Sequence, residues 1–275
     1  MSADAAPPSV PVSVAIVGAT GAMGRLVSRI IEETDGLRLH AALSSSSELE
    51  EMIGADVVVD VTLPQVSPSI VGFALAHDLP ILVGTSGWSA DRLAVMRRQV
   101  EDRGLGAIVV PNFSVGSVLS THFAGLAARY FDSIEIVEAH HAGKIDSPSG
   151  TAVRTAETIG AARLELGPVA APHVDQRARG QQVASVPVHS LRLRGLLAKQ
   201  EVLFGSTGEV LTITHDTYSH EAYVAGIRIA LAALPTVRGL IVGLGPLLGL
   251  ADPGPSDDGP VDDGAPSGQA AASTP

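Results

Sequence analysis

Val12-Ser-Val-Ala-Ile-Val-Gly18-Ala-Thr-Gly21-Ala-Met-Gly24 is the stretch that decides the fold. Its first six residues are apolar apart from Ser13 and rich in β-branched side chains, which reads as a strand. Three glycines follow at once, and a helical pattern over Met23–Glu33 begins inside them. A strand that enters a glycine turn and leaves as a helix lets backbone approach a pyrophosphate at the helix N-terminus. The glycines alone are weak evidence, because the chain holds 29 of them and a plain structural turn uses the same residues. The placement between strand and helix is what favours a dinucleotide site.

Working outward, apolar β runs recur at Leu37–Leu43, Val57–Val61, Pro80–Val83 and Ala107–Val110, with helical patterns at Ser67–His77 and Ala90–Asp102. Near-continuous apolar strands separated by helices predict a parallel sheet covered on both faces. Its ligands then sit at the carboxyl ends of the strands. The second half differs. A helix at Val115–Tyr130 precedes a strand over Ser133–Ala139 and a helix over Gly150–Ala162. Then β runs at Val186–Arg194, Lys199–Gly205 and Glu209–His215 follow one another through glycine turns, before a last helix at Glu221–Leu234. The expected class is α/β, a doubly wound Rossmann-type parallel sheet with an inserted α+β domain on a mixed open sheet. Residues 12–113 and 219–251 would form the dinucleotide-binding domain, and 114–218 a substrate-binding and oligomerisation domain. Residues 1–11 read as a flexible N-terminus.

The chain has 275 residues and a net charge of −11, which argues against nucleic acid or an anionic membrane as partner. An anionic substrate would need a local basic pocket. There is no cysteine, so disulfides, thiolate metal sites and cysteine nucleophiles are excluded. The first eleven residues lack the basic and apolar regions of a signal peptide. The apolar stretch Gly239–Ala251 is too short and too rich in Gly and Pro to span a bilayer. A cytoplasmic protein is the simplest reading. Residues 252–275, with five aspartates and neither Lys nor Arg, read as a disordered acidic tail.

The fourteen residues Glu138-Ala-His-His-Ala-Gly-Lys-Ile-Asp-Ser-Pro-Ser-Gly-Thr151 place two imidazoles and an ammonium beside a helix start. Read alone, Glu138 ends the strand and is available as a partner for one of these cations. His140 and Lys144 then lie on the following loop, and Ser147-Pro148 resembles a cap with proline in the first helical turn. Such a site is suited to hold a carboxylate and move a proton. The other histidines, at 40, 77, 122, 173, 189, 215 and 220, are scattered and read as structural. No spacing recommends a metal site. At the end of the second strand, where an acidic residue usually meets the ribose, stand Ser44-Ser-Ser-Ser47, so Ser44 is a candidate cofactor contact that does not repel a 2′-phosphate.

This segment resembles the signature of the dihydrodipicolinate (4-hydroxy-tetrahydrodipicolinate) reductases. The similarity runs from about Val12 to Leu250 and includes Val-Asp60-Val-Thr, Gly84-Thr-Ser-Gly87, Pro111-Asn-Phe-Ser-Val-Gly116 and Gln200-Glu-Val-Leu-Phe-Gly205. The resemblance implies an NADH- or NADPH-dependent reduction of a cyclic dicarboxylate in the diaminopimelate route to lysine, with loss of water. By position, His140 matches a catalytic proton donor or acceptor and Lys144 a proton donor. His141, Ser149, Gly150 and Thr151 match substrate contacts. The cofactor would touch Gly18, Ala19, Thr20, Gly21, Ala22 and Met23, then Gly84, Thr85 and Ser86, then Val110, Pro111, Asn112 and Phe113. A homotetramer joined through the second domain's sheet is also implied.

The chain departs from the family in three places. Ala142-Gly143 replaces a bulkier polar or basic pair, so one basic contact to the dianion is expected to be missing. Serines replace the acidic or acid-plus-basic residues after the second strand, and the acidic tail is outside the family pattern. A semialdehyde dehydrogenase also opens on Gly-Ala-Thr-Gly but needs a cysteine nucleophile. A catalytically silent NAD(P)-binding regulator of the same fold is the alternative of a different class.

Overall fold

The computed structural model describes residues 10–250. The acidic tail and most of the N-terminal segment expected above lie outside them. In chain order the first part comprises β1 (Val12–Val17), α1 (Ala22–Glu32), β2 (Leu37–Leu43), β3 (Val57–Asp60), α2 (Ser67–Ala76), β4 (Ile81–Val83), α3 (Ala90–Arg103) and β5 (Gly106–Val109). Then come α4 (Val115–Ala127), β6 (Ser133–His141), α5 (Gly150–Ala162), β7 (Gln181–Val183), β8 (Val186–Leu193), β9 (Ala198–Ser206) and β10 (Glu209–Thr217). The chain closes through α6 (Val224–Ala233) and β11 (Gly239–Val242).

One sheet has the order β11-β5-β4-β3-β1-β2 with every pair parallel. Its strands are buried on both faces because alternate residues enter different cores. Ile81 and Val83 pack with Leu75 and Met96 on the side of α2 and α3, while Leu82 packs with Ile30 and Leu231 on the side of α1 and α6. Each such side chain contributes roughly 1.5–3 kcal/mol by leaving water. The doubly wound expectation is borne out.

The second sheet, β10-β9-β6-β8-β7, is mixed: β6 runs parallel to β8 and antiparallel to β9. Helices α4 and α5 cover one face, where Ile134, Ile136, Val202 and Phe204 meet Ala124, Ala156 and Ile159. Every residue of this sheet lies between β5 and β11 in sequence.

Several local expectations are corrected. The strand expected to end near Glu138 continues through His141, because His140 pairs with Arg192 on β8 and with Ala198 on β9. His140 is therefore a strand residue, and only Lys144 is on the loop. The cap of α5 is Ser149, whose side chain accepts from Ala152 N, and the Ser147–Pro148 bond is cis and precedes the helix. Helix α4 stops at Ala127 and one 3-10 turn reaches Tyr130. β7 and β11 were not anticipated.

Candidate active site

A cleft of about 400 Å³ opens between the carboxyl edge of the parallel sheet and the start of α5. From the glycine-turn side it is lined by Met23, Gly84, Pro111, Asn112 and Phe113. From the other side come His140, His141, Lys144, Ser149 and Thr151. Residues chosen from two distant parts of the sequence thus face one cavity.

Glu138 organises the second side. Its side chain is wholly buried, yet it accepts from His140 Nδ1 at 2.6 Å and from both terminal nitrogens of Arg192 at 2.9 Å. Its other oxygen also accepts from Ser149 N at 3.2 Å. Burial pushes the carboxyl up, but hydrogen bonds from Arg192, Ser190 and His140 and the Arg192 charge outweigh it and hold the group below its ordinary value. An ionised carboxylate has no proton to give, so His140 carries its hydrogen on Nδ1 and leaves Nε2 as an acceptor. Burial lowers the His140 pKa, and the charges of Lys144 and Arg192 lower it too, while Glu138 raises it. The neutral imidazole is the form favoured near neutral pH. Glu138 is thus the cation partner the sequence allowed for, although it lies within β6 and not at its end, on the same face as His140.

The loop after His141 is fixed from below. Arg192 Nη2 donates to Asp146 O at 2.6 Å, and Lys144 Nζ reaches Asp146 Oδ1 at 2.7 Å. Burial works to raise the Asp146 carboxyl, but Lys144 holds it below its usual range. The Ser149 hydroxyl accepts from Ala152 N at 3.2 Å, which leaves its own hydrogen free to donate. The first turn of α5 adds unpaired N–H groups, so the corner suits a carboxylate.

The glycine turn fits a dinucleotide on steric grounds. Gly18 has φ +92°, and a Cβ there would lie 2.7 Å from Val61 O. At Gly24 it would lie 2.1 Å from Gly18 O, so the turn has no room for a side chain. Gly21 caps α1 without a side-chain bond, leaving its first N–H groups for an anion. Gly18 N and Ala19 N both donate to Leu43 O at 3.0 Å, which sets Ser44 beside the turn.

Other expected contacts are not in the cleft wall. Gly18 to Ala22, Ser44, Ser86 and Gly150 lie outside it; Thr85 is 4% exposed and Val110 is wholly buried, so Val110, expected as a cofactor contact, meets no ligand here. The Thr85 hydroxyl turns inward to Asp60 O. Reasoning from sequence missed several wall residues. His215 and His220, assigned to structure, both line the cleft, and Ser114 Oγ lies 3.2 Å from His215 Nε2. Gln200, Lys199 and Tyr223 line it as well. The Gln200 motif carried the only signal, without a role attached.

Residues 12–113 match the family model for dihydrodipicolinate reductase, N-terminus, and residues 116–246 match the model for dihydrodipicolinate reductase, C-terminus. The chain belongs to the dihydrodipicolinate reductase family. This reductase is 60% identical over 237 residues to the 4-hydroxy-tetrahydrodipicolinate reductase of Clavibacter sepedonicus, covering 86% of each chain. It is 57% identical over 272 residues to that of Clavibacter michiganensis subsp. michiganensis, covering 95% of this chain and 98% of the relative. Among solved structures it resembles the dipicolinate-bound dihydrodipicolinate reductase from Paenisporosarcina sp. TG-14. There the TM-score is 0.74 and the identity 30%, with 86% of this chain and 98% of that one covered. In the reductase the two family models meet between Phe113 and Gly116, where Ser114 caps α4.

Proposed function

We propose that this reductase converts 4-hydroxy-tetrahydrodipicolinate, NAD(P)H and a proton into tetrahydrodipicolinate, NAD(P)+ and water, in the diaminopimelate route to lysine. The observation that carries the reading is one cleft shared by Met23 and Gly84 on one wall and by the Glu138-held His140, with Lys144, on the other. A bound nicotinamide supplies hydride to ring C4 of the substrate.

The chain's own residues do the rest. Gly18, Ala19, Thr20, Gly21, Ala22 and Met23 hold the dinucleotide phosphates with backbone, beside Ser44. Gly84, Ser86, Pro111, Asn112 and Phe113 line the path towards the nicotinamide, with the buried Thr85 and Val110 behind them. Ser149, Gly150 and Thr151 hold one substrate carboxylate by hydroxyl and N–H groups, and His141 contacts the ring. Lys144 Nζ donates the proton that leaves with the departing oxygen as water, and His140 Nε2 relays its replacement. Glu138 keeps the imidazole in the tautomer that permits the relay.

The same reading divides the work between residues 12–113 with 219–251, which take the cofactor, and residues 114–218, which take the substrate. It includes a homotetramer through the face of the second sheet turned away from α4 and α5. There Leu191, Leu193 and Val210 are 47%, 52% and 69% exposed, which supports a covering partner. Among the described residues no helix is long and apolar enough to cross a membrane, and we place the enzyme in the cytoplasm. The test is loss of reduced-nicotinamide absorbance when dihydrodipicolinate synthase generates the substrate in the cuvette. Substrate-dependent loss supports the reading. Cofactor binding without turnover would favour a silent NAD(P)-binding protein.

A further inference from the structure

We propose that Asp60, acting through Ser67 and Trp88, is a positioning residue that fixes the two turns against which NAD(P)H is bound; the inference rests on the cofactor reading above. Asp60 ends β3 and has no exposed surface, so it touches no ligand itself. Its carboxylate accepts from Thr62 N at 3.0 Å, from Thr62 Oγ1 at 2.5 Å and from Ser67 Oγ. Ser67 Oγ in turn accepts from the Trp88 indole N–H at 3.2 Å. A buried carboxylate is expensive unless fully hydrogen-bonded, and a satisfied network of this kind rigidifies whatever it joins.

What it joins are the two turns. The side chain holds the turn after β3, where a Cβ on Gly18 would meet Val61 O at 2.7 Å and Thr62 Cγ2 at 3.1 Å. The Asp60 carbonyl holds the loop after β4, accepting from Gly84 N at 2.8 Å and from Thr85 Oγ1 at 3.5 Å. Further out the loops touch again. Arg92 Nη1 donates to Pro64 O at 3.5 Å and Gly87 O at 3.3 Å, and a Cβ on Gly87 would meet Pro64 at 2.9 Å. Ser67 and Trp88 therefore tie the loop after β4 to the same carboxylate that sets the floor beneath Gly18. A shift of either turn would change the width of the cofactor groove while leaving His140 and Lys144 in place.

The experiment compares Ser67→Ala, Asp60→Asn and Asp60→Ala with the unmodified full chain. Calorimetric titrations with NADPH and with NADH are set beside steady-state kinetics and melting temperatures. Trp88 is the only tryptophan of the chain, so its emission reports the loop directly. Ser67→Ala keeps the Thr62 bonds and removes only the relay. It is expected to weaken dinucleotide binding and raise its KM on the order of 3- to 10-fold, the loss of one or two hydrogen bonds, with a red-shifted Trp88 emission. The kcat at saturating cofactor and the KM of the dicarboxylate are expected to stay within about twofold. Asp60→Asn, which keeps an acceptor for Thr62, should fall between Ser67→Ala and Asp60→Ala. A lower melting temperature with unchanged dinucleotide affinity in Ser67→Ala would overturn the inference and leave the reductase reading intact. An unmodified chain that binds neither dinucleotide would overturn both. Should Asp60→Ala fail to fold, Ser67→Ala alone decides.

Discussion

Asn112 Nδ2 lies 3.3 Å from Thr151 Oγ1, a hydrogen bond that joins the end of β5 to the first turn of α5 across 39 residues of sequence. The same amide donates to Ser117 Oγ at 3.0 Å, and its oxygen accepts from Ser114 N at 2.9 Å. One side chain therefore holds the proposed cofactor wall, the cap of α4 and the proposed carboxylate corner in register. Asn112→Ala removes all three hydrogen bonds and is expected to raise the KM of the dicarboxylate by on the order of 3- to 30-fold. Steady-state kinetics with substrate varied at saturating NAD(P)H checks it, and an unchanged KM would speak against the register.

Lys144 stands on the far wall from the glycine turn, so its loss should separate chemistry from cofactor binding. Lys144→Ala is expected to lower kcat by about 10²- to 10⁴-fold, the range of a lost proton donor. The NAD(P)H dissociation constant should move less than about twofold. Fluorescence titration of NADH or NADPH provides the check. A large loss of dinucleotide affinity would contradict the division of labour between the two walls.

The Glu138–His140 pair makes a pH prediction with a definite sign. Glu138 raises the His140 pKa against burial and the neighbouring cations. Glu138→Gln removes that support and leaves the Arg192 charge uncompensated beside the ring. The limb of the kcat/KM profile set by His140 is expected to move to lower pH, and kcat should fall by about 10-fold or more as the ring orientation loosens. A limb that moves to higher pH, or stays, would contradict the pairing.

Stability should respond to acid in the same direction. His140 and Glu138 both have lowered pKa values, so the folded chain binds fewer protons than the unfolded one as pH falls. The His140 contribution is present above the ordinary histidine value of about 6.5 and is lost as pH falls through the folded-state value below it. The Glu138 contribution is present above the ordinary value of about 4.3 and is lost further down. Melting temperatures measured across this range are expected to fall in two stages, with the upper stage absent in His140→Gln.

Coenzyme choice should be set at the serine turn beside Gly18. Ser44 Oγ lies 2.9 Å from Ser46 Oγ, and Ser47 Oγ accepts from Ser44 N at 3.2 Å, so the turn offers hydroxyls without a carboxylate. Ser44→Asp is expected to raise the KM for NADPH by on the order of 10-fold through repulsion of the 2′-phosphate, with the KM for NADH little changed. Paired titrations with the two cofactors measure the ratio.

Much of this was legible in the sequence for identifiable reasons. The strand–glycine–helix stretch at Val12–Gly24 carries its own geometry, because Gly18 at φ +92° and the crowded Gly24 admit no side chain. The segment from Glu138 to Thr151 was legible because its charged groups are close in sequence. The polar His140 and His141 disguised the last two residues of β6, whose strand character comes from pairing with β8 and β9. Arg192, 54 residues from Glu138, enters the site only through that register. His215 and Gln200 arrive the same way, on β10 and β9; no local pattern announces His215, and the motif around Gln200 gave it no role. β11 was hidden because four strand residues opened a stretch whose glycines and prolines read as irregular. The Ser149 cap was missed because Ser147-Pro148 offered a similar signal two residues earlier.

The central claim is that this chain delivers hydride from a reduced nicotinamide to a cyclic dicarboxylate held beside His140 and Lys144. The most direct measurement is turnover with NADPH deuterated at both C4 positions, followed by mass spectrometry and NMR of the product. The account predicts tetrahydrodipicolinate carrying one deuterium at ring C4. Product without deuterium at that carbon, or no product from a chain that binds the cofactor, would contradict it.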